Sequence, residues 1–403
     1  MNNYVLTADG YKTTDTLTPK DFTFTKNGKH SRIIYVNQSE TSNRAAFLNI
    51  ETAIDDIPSL LRKDTLVLSV DDVFQRRFIE AGNIVEDSWV FVPWIRQEKT
   101  NPKLTIDLSK FVDNYHDSFS LFLFNNEILE IADKLNIPFK AVKELLIREA
   151  AEYDEHLIAL KRYIFDTYNI IESSTDPETS FLKFKKYVLQ NHIFKMNRYL
   201  SIDDNFISFA VASLTRASTV QTSYNRNNRY LITYTFNTGE HRLLNGLTAF
   251  LKSINVKFEV SEDKRKVEVK NKPLYKYVTD GLQKDINFIF RLPDHLAQQF
   301  VTELFIYEDT VCNISKEVAL QIKQLFLYYK KVVGVSSSPL GNFQAKLYQD
   351  DFSVLDSTVI LEADGYYTRV TNVYPVNTRN AHTVPFANSE DSELILLNCV
   401  IKN

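Results

Sequence analysis

The chain has 403 residues, with 47 basic against 51 acidic side chains and a formal net charge of −4. At that length two or three domains are expected, and 44% hydrophobic with 24% charged residues is globular composition that argues against long disorder. Two cysteines exclude a disulfide framework and a multi-thiolate zinc site, nine unclustered glycines lower the prior for a phosphate-cradling loop, and the net charge argues against a non-specific basic coat.

The longest apolar runs, 67–70 and 394–397, are far too short to span a bilayer, so no membrane partner is expected. The first residues show no basic start and no apolar signal core, so the interior of the cell, the cytoplasm, is the expected location. Usage rich in Phe (28) and Tyr (21), with abundant Asn, Ile and Lys, matches an AT-rich genome such as that of a phage or a low-GC host.

Residues 1–100 read as short strands. Asp9-Gly10 and Asn27-Gly28 are hairpin signals, and 65–70 and 89–94 are apolar strand candidates, with a short helix placed at 78–85. Near residue 107 the period changes. Ile128, Leu129, Ile131, Ala132 and Leu135 recur at helical spacing, and Pro138 opens a second helix carrying Val142, Leu145 and Leu146. Further helices are expected at 155–168 and 181–190, separated by a polar linker at 173–180.

Beyond residue 200 the pattern is α/β. Asp203 and Asp204 cap a helix over 206–217. A strand at 230–236, a helix at 243–254, a hairpin at 257–269 and a helix at 274–282 follow. The order then recurs with an acidic cap at Asp294, a helix running to Glu308 and a long helix over 316–332, which suggests a duplication. From 357 onward the chain returns to short strands, so the middle reads as an insertion within one β domain.

The two β ends resemble the Hint fold of inteins, the protein-splicing domain. The matching stretches are Val5-Leu-Thr-Ala-Asp-Gly-Tyr-Lys, Phe22-Thr-Phe-Thr-Lys-Asn-Gly and the segment from Phe78 to Pro93. No cysteine or serine precedes Val5. Where the family carries a histidine this chain has Asp72, and the terminal His-Asn pair is Lys402-Asn403. Splicing needs a hydroxyl or thiol nucleophile and a nearby imidazole to protonate the leaving nitrogen. Asp72 and Lys402 supply neither, so Asp72, Lys402 and Asn403 read as degenerate splicing positions.

Residues 196–349 resemble LAGLIDADG homing endonucleases, a family commonly inserted in inteins. The first motif helix corresponds to Asn197 through Ser218 and the second to Phe290 through Asp309. In that family the motif helices pack side by side and each ends in an acid, which together hold divalent metal over the scissile phosphates. The alignment puts Glu308 at the second acid position, the catalytic and metal-ligating candidate. It puts Ser218 at the first, where the charge is lost. If cleavage survives, the resemblance implies Mg²⁺ as cofactor, with nicking or no cleavage expected over a double-strand break.

Two further features point to double-stranded DNA as partner. Residues 127–146 resemble a helix-turn-helix, whose second helix would present Lys140, Lys143 and Arg148. Residues 250–276 hold eight basic and four acidic side chains, including Lys264, Arg265, Lys266 and Lys270 on the predicted hairpin.

The expected architecture is thus multidomain α+β. Residues 1–106 plus 350–403 form a Hint-like β domain, 107–195 an inserted helical helix-turn-helix-like region, and 196–349 a duplicated LAGLIDADG-type α/β domain acting as a monomeric unit. The expected function is DNA binding by a free-standing, intein-derived endonuclease relative that has lost splicing and is impaired in cleavage. Two rivals remain. One is a non-enzymatic DNA-binding regulator or a subunit of a complex with other phage proteins. The other is a structural protein that docks through its β domain.

Overall fold

The computed structural model describes residues 3–36, 47–70, 75–95, 105–111, 125–147, 155–167, 176–182, 196, 198–224, 227–338, 341–348, 358–376, 386–388 and 393–402. The fold is mixed α+β with antiparallel sheets. The chain divides into two compact units. One comprises Met1–Pro102 with Gln283–Asn403, the other Lys103–Leu282.

In the first unit, strands from both chain ends share sheets. β1 (Tyr4–Thr7), β2 (Gly10–Thr13), β3 (Phe22–Phe24) and β4 (His30–Val36) join β21 (Phe386–Asn388) in the order β2-β1-β3-β4-β21. A larger sheet runs β22-β23-β7-β9-β20-β5-β6. Its members are β5 (Phe47–Thr52), β6 (Ser59–Arg62), β7 (Leu66–Val70), β9 (Trp89–Pro93), β20 (Gly365–Val376), β22 (Glu393–Ile395) and β23 (Val400–Lys402). β20 serves three neighbours, the first being β19 (Val359–Leu361), which pairs with Tyr366–Thr368. Gly365–Arg369 pair with β9, and after an irregularity between Val370 and Asn372 the strand pairs with β5. The Asn27-Gly28 turn is confirmed by a left-handed φ of 68° at Gly28, where a Cβ would lie 2.0 Å from the Trp94 carbonyl oxygen. The helix expected at 78–85 is instead β8 (Arg76–Glu80) against β7, followed by a single turn at Ala81–Asn83. The run Arg76-Arg-Phe-Ile-Glu80 gains a full ladder from β7, which outweighs local helical spacing.

Gln283–Tyr348 belong to this same unit. Here β16 (Thr310–Ile314), β17 (Val332–Ser337) and β18 (Phe343–Tyr348) form a sheet of order β16-β18-β17 beside helix Lys316–Tyr328. Polar contacts to the β5–β6 connection, buried at Asp55 and exposed at Asp56, account for the grouping. Asp55 and Lys323 form an ion pair at 2.5 Å with neither side chain exposed, and Val335 N–H donates to Asp55 Oδ1 at 2.9 Å. Asp56 N–H donates to Val335 O, and its carboxylate accepts from Ser337 N–H at 2.7 Å. The outer edge of β17 is thereby capped, as exposed edges generally must be. A Cβ on Gly334 would stand 2.1 Å from the Ile54 carbonyl oxygen, so only glycine lets the connection lie this close.

In the second unit, α1 (Asn125–Leu135), α2 (Phe139–Ile147) and α3 (Glu155–Thr167) bury one apolar cluster that includes Ile128, Ile131, Val142, Leu146, Leu160 and Ile164. Asn136, at φ 51°, makes the left-handed turn between α1 and α2. The α/β part contains α4 (Asp204–Thr215), β12 (Ala217–Tyr224), β13 (Asn227–Thr235), α5 (His241–Ser253), β14 (Phe258–Val260) and β15 (Lys266–Val269). Its sheet order is β12-β13-β15-β14.

With α7 (Asp294–Leu304) and α8 (Lys316–Tyr328) named after the short α6 (Lys272–Lys276), a repeat is visible. The first copy runs α4-β12-β13-α5-β14-β15 and the second α7-β16-α8-β17-β18. Sheet order corresponds once β13 is removed, because in the second copy β18 pairs directly with β16. Only Ser315 separates β16 from α8, which leaves no chain for a counterpart of β13.

Candidate nucleic-acid interface

α4 is set by Asp203, whose carboxylate accepts from Phe206 N–H at 2.8 Å and satisfies an otherwise orphaned helix N-terminus. Nearly all of α4 is buried. Phe209 stacks on Phe250 of α5 at 4.4 Å, and a Cβ on Gly246 would meet Ser208 at 2.4 Å, so glycine permits the close crossing of α4 and α5. The sheet turns Ile232, Tyr234, Val267 and Val269 inward, all buried, and Tyr234 reaches Ser213 of α4 at 3.2 Å.

Strand alternation puts the other rows on the open side. Ser218, Thr233, Glu268 and Glu259 are register partners across the four strands, and Thr235 faces Lys266. The β14–β15 tip carries Lys264, with a left-handed φ of 56°, and Arg265, whose guanidinium donates to Thr238 Oγ1 at 2.8 Å. Lys257, Lys264, Arg265, Lys266 and Lys270 are all exposed. Lys266 and Lys270 also pair with carboxylates of the same hairpin. Lys266 lies 2.5 Å from Glu268 and Lys270 lies 3.4 Å from Glu259. The Lys266 hydrogen bond and charge hold the Glu268 carboxyl below its usual range. An open depression of about 510 Å³ on this hairpin is lined by Val256, Lys257, Phe258, Glu259, Glu268 and Lys270.

The expected metal positions take a different form from the motif. α4 ends at Thr215, so Ser218 lies on β12, where its hydroxyl donates to Thr233 O at 3.3 Å. At the helix end itself sits Arg216, which donates through Nε and Nη2 to Glu240 at 2.9 and 2.6 Å and through Nη1 to Thr215 O. Burial raises the Glu240 carboxyl, but Arg216 and the Asn237 N–H outweigh it and hold the group below its ordinary value. α7 stops at Leu304, where Phe305 turns the chain and packs edge-on against Phe326 at 5.0 Å. Glu308 therefore lies on an exposed connection to β16, beside Asp309. Among the described residues no group of three or more His, Cys, Asp or Glu is arranged to hold a metal. A hydroxyl with a carbonyl acceptor and a guanidinium do not fit a divalent cation, which prefers several anionic or carbonyl oxygens.

The remaining positions are dispersed. Lys140 is exposed on α2, whereas Lys143 is half-buried with its ammonium 4.8 Å from the Phe139 ring centre. Arg148, Asp72 and Asn403 lie outside the described residues. Lys402 pairs in β23 with Glu393 and Leu66, and its ammonium sits 5.6 Å from the Phe78 ring centre. Cys399 is wholly buried. Burial pushes its thiol up to about 12 despite a hydrogen bond from Ser59, which leaves almost no thiolate at neutral pH. Sequence reasoning missed the Arg216–Glu240 and Asp55–Lys323 pairs, whose partners lie 24 and 268 residues apart with no spacing signal between them.

No protein-family model matches the chain, and no curated protein matches it. A solved structure described as "Structures and dynamics of mesophilic variants from the homing endonuclease I-DmoI" is similar over 36% of this chain and 86% of that one. The identity is 12% and the TM-score 0.27, a level at which the likeness establishes no common fold.

Proposed function

We propose that the protein binds double-stranded DNA through the open side and basic tip of the β12-β13-β15-β14 sheet, as a degenerate relative of the intein-borne LAGLIDADG endonucleases. The observation that carries this reading is the sheet itself. One side is sealed on the aromatic core of α4 and α5, the open side exposes Lys266 and Lys270, and the tip exposes Lys264 and Arg265. Phosphate contacts by such cations release counterions and give salt-dependent affinity. The repeated helix, strand and hairpin order supports the lineage. Cleavage is impaired in this reading because Arg216 and Ser218 supply no anionic oxygen at the first motif, and splicing is lost because Lys402 replaces an imidazole. The alternative, a non-enzymatic interaction protein, is favoured by one observation: Glu268 and Glu259 partly neutralise the hairpin.

The test is a gel shift and nicking screen on supercoiled and linear duplexes with Mg²⁺. Retarded DNA without double-strand cleavage is expected, with any slow nicking abolished by Glu308→Ala. Efficient double-strand cleavage contradicts the degenerate assignment, and no retardation at low salt contradicts DNA binding.

A further inference from the structure

The two repeats differ in what their sheets offer to a partner. In the first, the hairpin tip holds Lys264 and Arg265, and the strand that leaves it begins with Lys266. In the second, residues 338–342 between β17 and β18 include no Lys or Arg in the sequence, and Lys346 is the one basic residue in its three strands. The first sheet has four strands and an open side. The second has three, and the Ile54–Asp56 connection lies over Gly334 and along the edge of β17. Val332 and Tyr348 pack into an apolar cluster with Ile54, Trp94 and Tyr366. A duplex cannot lie along a strand whose face and edge are already occupied by backbone.

We propose that duplex contact is confined to the first repeat, so that the chain reads one half-site, and that the second repeat serves as an internal brace of the terminal β unit. This rests on the DNA-binding reading above. The partner is a stretch of about one helical turn, near 10 bp. Charge complementarity selects it, because phosphates need cations within reach: the β14–β15 hairpin carries Lys264, Arg265, Lys266 and Lys270 together, whereas the three strands β16, β17 and β18 carry Lys346 alone. Lys323 inside α8 is consistent with the brace, since its side chain is directed to Asp55 and away from solvent.

Fluorescence anisotropy of the full chain on duplexes of increasing length tests the proposal, with native, Lys264→Ala/Arg265→Ala/Lys266→Ala and Lys346→Ala proteins. Affinity per site should plateau by about 12 bp, just past one turn. The triple variant should lose about tenfold or more, as expected for two or three lost phosphate contacts. Lys346→Ala should stay within about twofold of native, since no phosphate contact is removed. An affinity that keeps rising past about 20 bp, or equal losses in the two variants, overturns the one-half-site inference while leaving DNA binding intact. Absence of binding by the native chain at every length, with its circular dichroism unchanged, overturns the DNA reading and this inference with it.

Discussion

Replacing Lys323 by methionine removes a cation and keeps most of the apolar volume. Asp55 then remains fully buried and, among the described residues, keeps the Val335 N–H as its one hydrogen-bond donor. Burial already raises the Asp55 carboxyl and lowers the Lys323 ammonium, each toward its neutral form. Without Lys323 the carboxyl must take up a proton to remain inside. At pH 7 that costs about 4 kcal/mol, from roughly three units between pH 7 and an ordinary aspartate at 1.36 kcal/mol each. The range for breaking a buried pair, about 3–5 kcal/mol, agrees. For a unit of this size each kcal/mol shifts the melting point by about 2–4 °C, so a fall on the order of 10 °C is expected. The loss should shrink by about 1.4 kcal/mol per unit as pH falls from 7 towards 4, because the folded variant holds a proton that the unfolded chain releases. Adding Asp55→Asn, which keeps the acceptor for Val335 without the charge, should recover most of the stability. Calorimetry of the full chain at pH 5, 6 and 7 makes the comparison. A Lys323→Met protein as stable as native at pH 7, or a loss that does not change with pH, refutes the argument.

Glu240 gives the opposite pH dependence. Its folded value is lowered, so its contribution is present above about 4.5 and is lost as pH falls through the folded value; Glu240→Gln should be less stable at pH 7 and show a shallower acid unfolding curve below that point. Alkylation under native conditions at pH 8 should label Cys312, which is exposed, and spare Cys399 until the chain is unfolded, as read by intact mass; rapid loss of both thiols would contradict the burial of Cys399. Gly334→Ala should cost at least about 2 kcal/mol, since its Cβ meets backbone that cannot rotate away, and a neutral effect in urea unfolding would show that the Ile54 connection yields.

Local features were legible where one residue type decides the geometry. Asn27-Gly28 marked its turn because glycine alone accepts the left-handed φ so close to the Trp94 carbonyl. The apolar spacing of α1 and α2 and the strands around Ser261–Arg265 were legible because one face of each element is buried. The ends of α4 and α7 were not. Register placed Ser218 and Glu308 at helix termini, but α4 ends three residues before Ser218 and α7 four before Glu308. Those stops depend on Arg216 finding Glu240 and Phe305 finding Phe326, both tertiary contacts. The placement of residues 283–348 was equally hidden. It rests on Asp55 and Asp56, two acids in an early turn whose partners come 268 and 281 residues later.

The most direct measurement is the salt dependence of duplex binding by the native chain. Each neutralised phosphate contributes about 0.9 to the slope of log affinity against log salt. With the β14–β15 cations as the contact, the native slope should be about −3 or steeper, and replacing Lys264, Arg265 and Lys266 by alanine should flatten it by about 2–3. A native slope near zero, or one that survives the triple replacement unchanged, would contradict the claim that this hairpin binds DNA.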